Sequence, residues 1–381
     1  MSNSPQILSI MEDYMGHRPY GLNMRKYFNE ISSYKNIDFH WFKEERDLLT
    51  KVLTRPLHTV FPNRWIQRQN LDFHRFRCQM ALAYTARCLI ARKLNQKRYS
   101  VLHLHTQVMG LWATDLMKKL PSVVGIDITA VQASKEFCEP RFQWTYKPNI
   151  FLDKKVFDAA TRIVAWSDHA RASVIQDFCI DAEKVITIPS GVDITKIPCF
   201  NRREIKTDAL YKILFIGGDF RRKGGEELLE VFLTSFYDRA ELHIVTQSNV
   251  NCDHPNVYIH NNVNAYTSKW LDLYRQADVY VMPTYADAFA TVFLEAMAAG
   301  LPVITTTLPQ IREAVIDGET GFLVNPGDRN ELAHKIRYLM ENQSLGLDMG
   351  AKGRTIAEQK FDSNKNFQLL ESVFREVALS Y

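Results

Sequence analysis

Asp287 and Glu295 stand eight residues apart in the stretch DAFATVFLEAMAAGLPV, among small and apolar neighbours with no cation beside them in the chain. An unpaired carboxylate is costly to bury, so each acid needs a partner. ADVYVMPT (277–284) reads as a buried strand, TVFLEAMAA as a helix and LPVITTT as the next strand, with Gly300 just past the helix end. Asp287 is then in the loop at the carboxyl end of a strand, and Glu295 about one turn into the crossover helix. The helix N-terminus offers free N–H groups and a positive dipole end, which suits an anion. An anion there repels carboxylates. The two acids are therefore expected to meet neutral hydroxyls of the same ligand, sugar and ribose, rather than protein cations. An anionic centre flanked by two polyols is the chemistry of a nucleotide sugar. The simpler alternative is that Asp287 caps the helix and Glu295 pairs with a distant arginine.

Cations to hold such an anion are at hand in IGGDFRRKGGEELLEVF. Gly217 and Gly218 allow a sharp turn after a strand, and Arg222 and Lys223 precede Gly224, Gly225 and a helix. Basic side chains there suit a diphosphate, although an exposed loop with solvated charges has the same composition. His103 and His105 in HLHTQ lie two apart at a strand end, hence on one sheet face, either as packed histidines or as site residues.

The elements that position these residues alternate in type. Short apolar strands are expected at 6–11, 37–42, 100–106, 122–129, 162–167 and 184–190, with helices including 21–33, 72–95, 107–119 and 168–178. After a polar stretch, TKIPCFNRREIKTDAL, the pattern restarts with strands at 212–218, 241–247, 257–261, 277–284, 302–307 and 321–324, a helix at 328–342 and a last helix near 364–378. This predicts an α/β chain of two doubly wound, Rossmann-like domains facing across a cleft, with ligands beyond the carboxyl ends of the strands. The length of 381 residues fits two domains. Six scattered cysteines without a CxxC pair speak against a zinc ribbon or a disulfide framework and for a reducing compartment. No signal peptide or membrane-spanning stretch is expected. The net charge of +4 is uneven: residues 1–200 hold 28 Lys/Arg against 19 Asp/Glu, and 13 basic against 4 acidic residues fall between Lys43 and Arg98. That stretch is either a solvated helix face or a surface for an anionic membrane or polymer.

PTYADAFATVFLEAMAAGLPVI, followed by REAVIDGETGFLVNPGD, resembles the signature of the retaining glycosyltransferases of family 4, which have the GT-B fold. RIVAWSDHARASVIQDFCIDAEKVITIPSGVD is similar to that family's approach to the interdomain turn. The likeness extends over residues 100–381. It implies an acceptor-side domain at 1–198, a donor-binding domain at 199–360 and a C-terminal helix at 361–381 that packs back towards the first domain. It also implies that Asp287 meets the donor sugar, Glu295 the nucleotide ribose, and the Ala288, Phe289, Ala290 and Thr291 backbone the donor. Lys223 falls on the lysine that binds the diphosphate. The family's arginine five positions earlier is Gly218 here, but GGDFRRKG is similar to the lipopolysaccharide-core glucosyltransferase form, which nominates Arg222 instead. Asp287 in place of Glu shortens the reach, and Ala290 in place of Gly adds a methyl group near the sugar. Gly16 falls where the family has a glycine loop near donor phosphate and acceptor, with His17 and His105 as acceptor-side candidates. Asp127 interrupts an apolar strand roughly where many members carry a cleft histidine, so it has either a buried partner or a place in the cleft.

The resemblance implies transfer of a hexose-type sugar with retention, from a nucleotide-diphosphate sugar to a glycan or lipid-linked hydroxyl. Asp287, Lys223, Arg222 and Asp127 are the expected catalytic residues. No cofactor or metal is expected, since no Asp-x-Asp pair or His/Cys cluster is present. The expected setting is cytoplasmic, with residues 43–98 on the inner face of an anionic membrane. The alternatives are an inactive nucleotide-sugar-binding partner of another transferase or another GT-B enzyme such as an epimerase. A nucleic-acid binder lacks any reading element, and no nucleic-acid partner is expected.

Overall fold

The computed structural model describes residues 5–13, 17–42, 44–45, 48–60, 63–200, 209–289 and 291–379. The chain divides into two units, residues 1–190 with 364–381, and residues 191–363.

The first unit holds a parallel six-stranded sheet, ordered β2-β1-β3-β4-β5-β6. Its strands are β1 (Ile7–Met11), β2 (Ile37–Trp41), β3 (Val101–Leu104), β4 (Ser122–Ile126), β5 (Arg162–Ala165) and β6 (Val185–Thr187). Its helices are α1 (His17–Lys26), α2 (Leu48–Thr54), α3 (Arg64–Arg68), α4 (His74–Gln96), α5 (Thr114–Met117), α6 (Ala130–Phe137), α7 (Lys147–Ala159) and α8 (Asp168–Gln176). β1, β3 and β4 are buried at every position, which is why they read as mostly apolar runs, broken only by Ser9, His103 and Ser122, rather than as an alternation.

Three expectations shift here. Residues 107–119 form a 3₁₀ turn, Gln107–Gly110, and then α5, rather than one helix. Gly110 sits within this break, and a Cβ on it would lie 2.9 Å from Val156 and 3.2 Å from Leu104, so the close approach that needs the glycine also weakens helix at that point. α1 starts at His17 and runs into a wider π turn, Tyr27–Ile31. β4 stops at Ile126, because the Asp127 carboxylate accepts from the Ile128 N–H at 2.8 Å and Thr129 then caps α6 through a reciprocal bond with Gln132. Asp127 therefore follows the strand and does not interrupt it.

The second unit repeats the plan, in the order β12-β11-β10-β7-β8-β9. It is built from β7 (Tyr211–Ile216), α9 (Gly225–Ser235), β8 (Ala240–Val245), β9 (Val257–His260), α10 (Ser268–Gln276), β10 (Val279–Val281), α11 (Thr291–Ala298), β11 (Val303–Thr306), β12 (Gly321–Val324), α12 (Arg329–Glu341) and α13 (Gln343–Lys360). Gly346, Gly350 and Gly353 lie within α13. A Cβ on Gly350 would come within 2.1 Å of the Gly300 carbonyl, so the helix packs against that turn only with glycine there.

The chain returns to the first unit in α14 (Ser363–Leu379). Phe367, Leu370, Phe374 and Val377 bury one face of α14 among Ile7, Met11, Tyr27 and Phe28. Each such side chain contributes about 1.5–3 kcal/mol of gross apolar stabilisation. On the same helix Glu371 accepts from the Ser32 hydroxyl at 2.5 Å, and Glu376 pairs with Arg162. Among the described residues no helix is long and apolar enough to cross a membrane.

Candidate active site

Each sheet has one place where the connections leave in opposite directions. In the second unit it lies between β7 and β10, which are neighbours, because β8 lies beyond β7 and β11 beyond β10. The loops that leave such a pair diverge and open a crevice at the carboxyl ends of the strands. The loop after β7 carries Arg222 and Lys223, and the loop after β10 carries Asp287. Sequence positions 64 apart are thereby brought together.

Close backbone fit fixes the two loops to each other. Gly224 has φ +77°, and a Cβ on it would lie 2.0 Å from the Pro283 carbonyl oxygen. Any side chain there would push the loops apart. The Tyr285 N–H donates to the Arg222 carbonyl at 2.9 Å, and the Arg222 guanidinium returns a bond to the Ala286 carbonyl at 2.6 Å. A second guanidinium nitrogen reaches Asp219 at 3.2 Å. The Lys223 ammonium pairs with the Asp287 carboxylate, and both side chains are nearly buried, with 12% and 9% of their surface exposed. The Gln310 amide donates to the Asp287 carbonyl and holds the loop from the far side.

The expectation that Asp287 lacks a protein cation is thus corrected. Its cation comes from another loop, and only the β7–β10 adjacency brings it there. Glu295 differs. It lies in α11, 7% exposed, and accepts from the Tyr274 hydroxyl of α10 at 3.0 Å. Burial pushes its carboxyl up to about 8, against the lowering effect of the Tyr274 bond. Tyr274 in turn packs edge-on against Trp270, with ring centroids 4.6 Å apart.

The remaining donor-side candidates fall around the same loop. Ala288 and Thr291 are partly exposed, while Phe289 is buried against Phe293 and Phe361. Ala290 lies outside the described residues, as does Gly16. Gly218 is exposed, and a Cβ on it would meet nothing within 4 Å. Its carbonyl accepts from the Ser248 hydroxyl at 3.0 Å, so the turn is ordered although the space over it is open.

In the first unit the divergence lies between β1 and β3. There the His17 imidazole lies 3.6 Å from the Asp127 carboxylate, both about one-sixth exposed. His105 is 1% exposed. Its Nδ1 accepts from the Glu12 N–H at 3.2 Å, which places the proton of the neutral ring on Nε2, and that atom has no hydrogen-bond partner among the described residues. Burial first, then the neighbouring His17 and His103, holds this ring well below the usual histidine range. The ring stacks on Tyr20 at 5.0 Å and meets His17 edge-on at 5.1 Å, with Trp166 closing the cluster. Gly125 makes room for it: a Cβ there would strike the His105 carbonyl at 2.3 Å. His103 is a core residue, bonded to the Ser9 hydroxyl at 2.8 Å and held by burial down to about 3. The two histidines are thus separated, one in the core and one under the cluster.

Tyr20, Trp166, Tyr274 and Gln310 went unmarked in sequence. Tyr20 had a signal, because it stands three residues after His17 and so shares its helix face. Tyr274 and Gln310 act from other elements and leave no local mark. Among the described residues, no group of three or more His, Cys, Asp or Glu side chains is placed to hold a metal ion.

Residues 211–342 match the family described as glycosyl transferases group 1, and residues 45–196 match glycosyltransferase family 4. The capsular polysaccharide biosynthesis glycosyltransferase CapM of Staphylococcus aureus is 28% identical over 58% of this chain and 63% of its own length. A D-inositol 3-phosphate glycosyltransferase of Arthrobacter sp. (strain FB24) is 26% identical over 66% of this chain and 65% of its own. The chain thus aligns with slightly under two thirds of each of these relatives. Two solved structures share the fold end to end. Sucrose-phosphate synthase from Thermosynechococcus elongatus has a TM-score of 0.75 at 16% identity, covering 99% of this chain and 100% of its own. Anabaena Alr3699/HepE in complex with UDP-glucose has a TM-score of 0.67 at 18% identity, covering 98% and 100%. The two parallel α/β units therefore compose a GT-B fold.

Proposed function

We propose that the chain is a family 4 glycosyltransferase that moves a hexose-type sugar, with retention, from a nucleotide-diphosphate sugar to a hydroxyl of a glycan or lipid-linked acceptor. The observation that carries this reading is the meeting of Arg222, Lys223 and Asp287 at the β7–β10 divergence, with Glu295 buried in the adjoining helix. The family matches and the glycosyltransferase names of the relatives support it.

On this reading the diphosphate sits against Arg222, Lys223 and the N-terminus of α11. An ammonium has three donors, and Asp287 takes one of Lys223, leaving two for phosphate oxygens. Arg222 has five N–H donors and keeps free ones beyond those spent on Ala286 and Asp219. These groups are held before the ligand arrives, so little reorganisation accompanies the growth of negative charge as the bond from the anomeric carbon to the diphosphate breaks. Asp287 orients the sugar and favours its developing positive charge. Glu295 meets the ribose. The acceptor oxygen bonds the anomeric carbon on the face the diphosphate leaves, and its proton passes to the departing phosphate oxygen. The products are the glycosylated acceptor and a nucleoside diphosphate. Arg222 and Lys223 meet the diphosphate charge here, and no metal is assigned a part. His17 and Asp127 are assigned to the acceptor side, with His105 beneath His17 as its support.

The test is a screen of nucleotide sugars for release of nucleoside diphosphate, with and without candidate acceptors, followed by NMR of the product's anomeric configuration. Turnover of one donor class with retention supports the reading. Binding without turnover of any donor contradicts it in favour of an inactive nucleotide-sugar-binding protein.

A further inference from the structure

Asp153 lies midway along α7 and is 3% exposed. Its carboxylate accepts from the N–H of Ala130, the first residue of α6, at 2.9 Å. Burial pushes this acid up to about 7, against the lowering effects of the Ala130 N–H, the Arg75 guanidinium of α4 and the Gln107 amide, while the Asp127 carboxylate raises it further. Other charges on α6 and α7 are exposed or turned elsewhere, Glu136 to His169 and Lys154 to Asp158, and Asp115 of α5 pairs with Arg87. A folded state that ionises this group above pH 7 does so at a cost in stability. A neutral side chain would accept from the Ala130 N–H without that cost, so an acid here points to function.

The turn that Asp153 grips is the one that carries Asp127. Three successive residues of it are held from three elements. The Gln107 amide donates to the Ile128 carbonyl at 3.1 Å, the Thr129 hydroxyl meets that of Ser173 on α8 at 2.7 Å, and Ala130 donates to Asp153. The Ile128 N–H then donates to Asp127, whose carboxylate lies 3.6 Å from His17. Asp153 and Gln107 are both buried, so the grip lies beneath the turn and not on its open side.

Gln107 links the grip to protonation. Its amide lies against the Asp153 carboxyl and favours the ionised form, while its Oε1 has no hydrogen-bond partner among the described residues. A protonated Asp153 has an O–H that needs an acceptor. Turning the Gln107 amide supplies Oε1 to it and withdraws the N–H from the Ile128 carbonyl.

We infer that Asp153 is a positioning residue for transfer to the acceptor. Ionised, it and Gln107 hold the Ile128–Ala130 turn, and with it Asp127 beside His17; protonated, it loosens that hold. This deepens the proposed transfer and rests on the acceptor-side assignment of Asp127.

The test has two arms. In the ligand-free protein, NMR follows the backbone amides of Ala130 and Ile128 on either side of pH 7. In wild type both signals move together with a midpoint near 7, and in Asp153→Asn neither does. Movement of Ala130 alone overturns the inference, because Asp153 then caps α6 without reaching Asp127, and stillness of both overturns it as well. In the second arm, acceptor KM is measured over the same pH range with the preferred donor. For wild type it falls about fivefold as pH rises through 7, the size expected for one hydrogen bond gained. Asp153→Asn keeps an oxygen for the Ala130 N–H but cannot ionise, so its acceptor KM stays high throughout. A wild-type KM that does not change, or a fall that persists in Asp153→Asn, overturns the inference and leaves Asp127 on the acceptor side. Full transfer by Asp127→Asn overturns that assignment and the inference with it.

Discussion

Lys223 and Asp287 form an ion pair across 64 residues of chain, between the loops that leave β7 and β10. The pair readies a cation for phosphate and a carboxylate for sugar in one place. Replacing Asp287 by Asn should leave binding of the nucleoside diphosphate, seen by isothermal titration, while kcat for sugar transfer falls about 10²–10³-fold, the range for losing one prealigned charge partner. Equal loss of binding and turnover would mean that Asp287 serves only to hold Lys223.

Gly218 and Gly224 belong to the same loop and predict opposite outcomes. Gly224→Ala forces a side chain into left-handed backbone and against the Pro283 carbonyl, so it should lower stability by about 1–3 kcal/mol in urea unfolding. Gly218→Ala projects into open space and should stay within about 0.5 kcal/mol of wild type. Any effect of Gly218→Ala on donor KM then reports on the ligand and not on the fold.

Glu295 makes the ligand-free protein pH-dependent. Its folded value is raised to about 8 from 4.5, so the folded state holds a proton that the unfolded state has released over that interval. The associated stability is fully present below about pH 4.5 and is lost as pH rises through about 8. Glu295→Gln should flatten that part of the profile of Tm against pH. Tyr274→Phe removes the hydroxyl that favours the ionised form, and should move the falling limb to higher pH. An unchanged profile in Glu295→Gln would show that another group titrates there.

His17 and Asp127 carry the acceptor-side assignment. His17→Ala and Asp127→Asn should reduce transfer to acceptor while sparing slow donor hydrolysis by water and nucleoside diphosphate binding. Parallel loss of all three would place these residues on the donor instead.

The alternation of strands and helices was legible because parallel strands buried on both faces leave mostly apolar runs, and the α11 segment was legible because Gly300 past its end and its small residues are local. The partners of Asp287 and Glu295 were not. Lys223 reaches Asp287 only because β10 crosses to lie beside β7, and strand order is absent from periodicity. Tyr274 reaches Glu295 from α10, 21 residues earlier. In HLHTQ the period of two treated both histidines alike, whereas β3 ends between them at Leu104.

The most direct measurement is nucleoside diphosphate release from the preferred donor by wild type, Lys223→Ala and Glu295→Gln, each first shown to be folded by its melting curve. The site described here predicts that Lys223→Ala lowers kcat/KM by about 10²-fold or more, with Glu295→Gln acting mainly through donor KM. Full activity in both folded variants would contradict it.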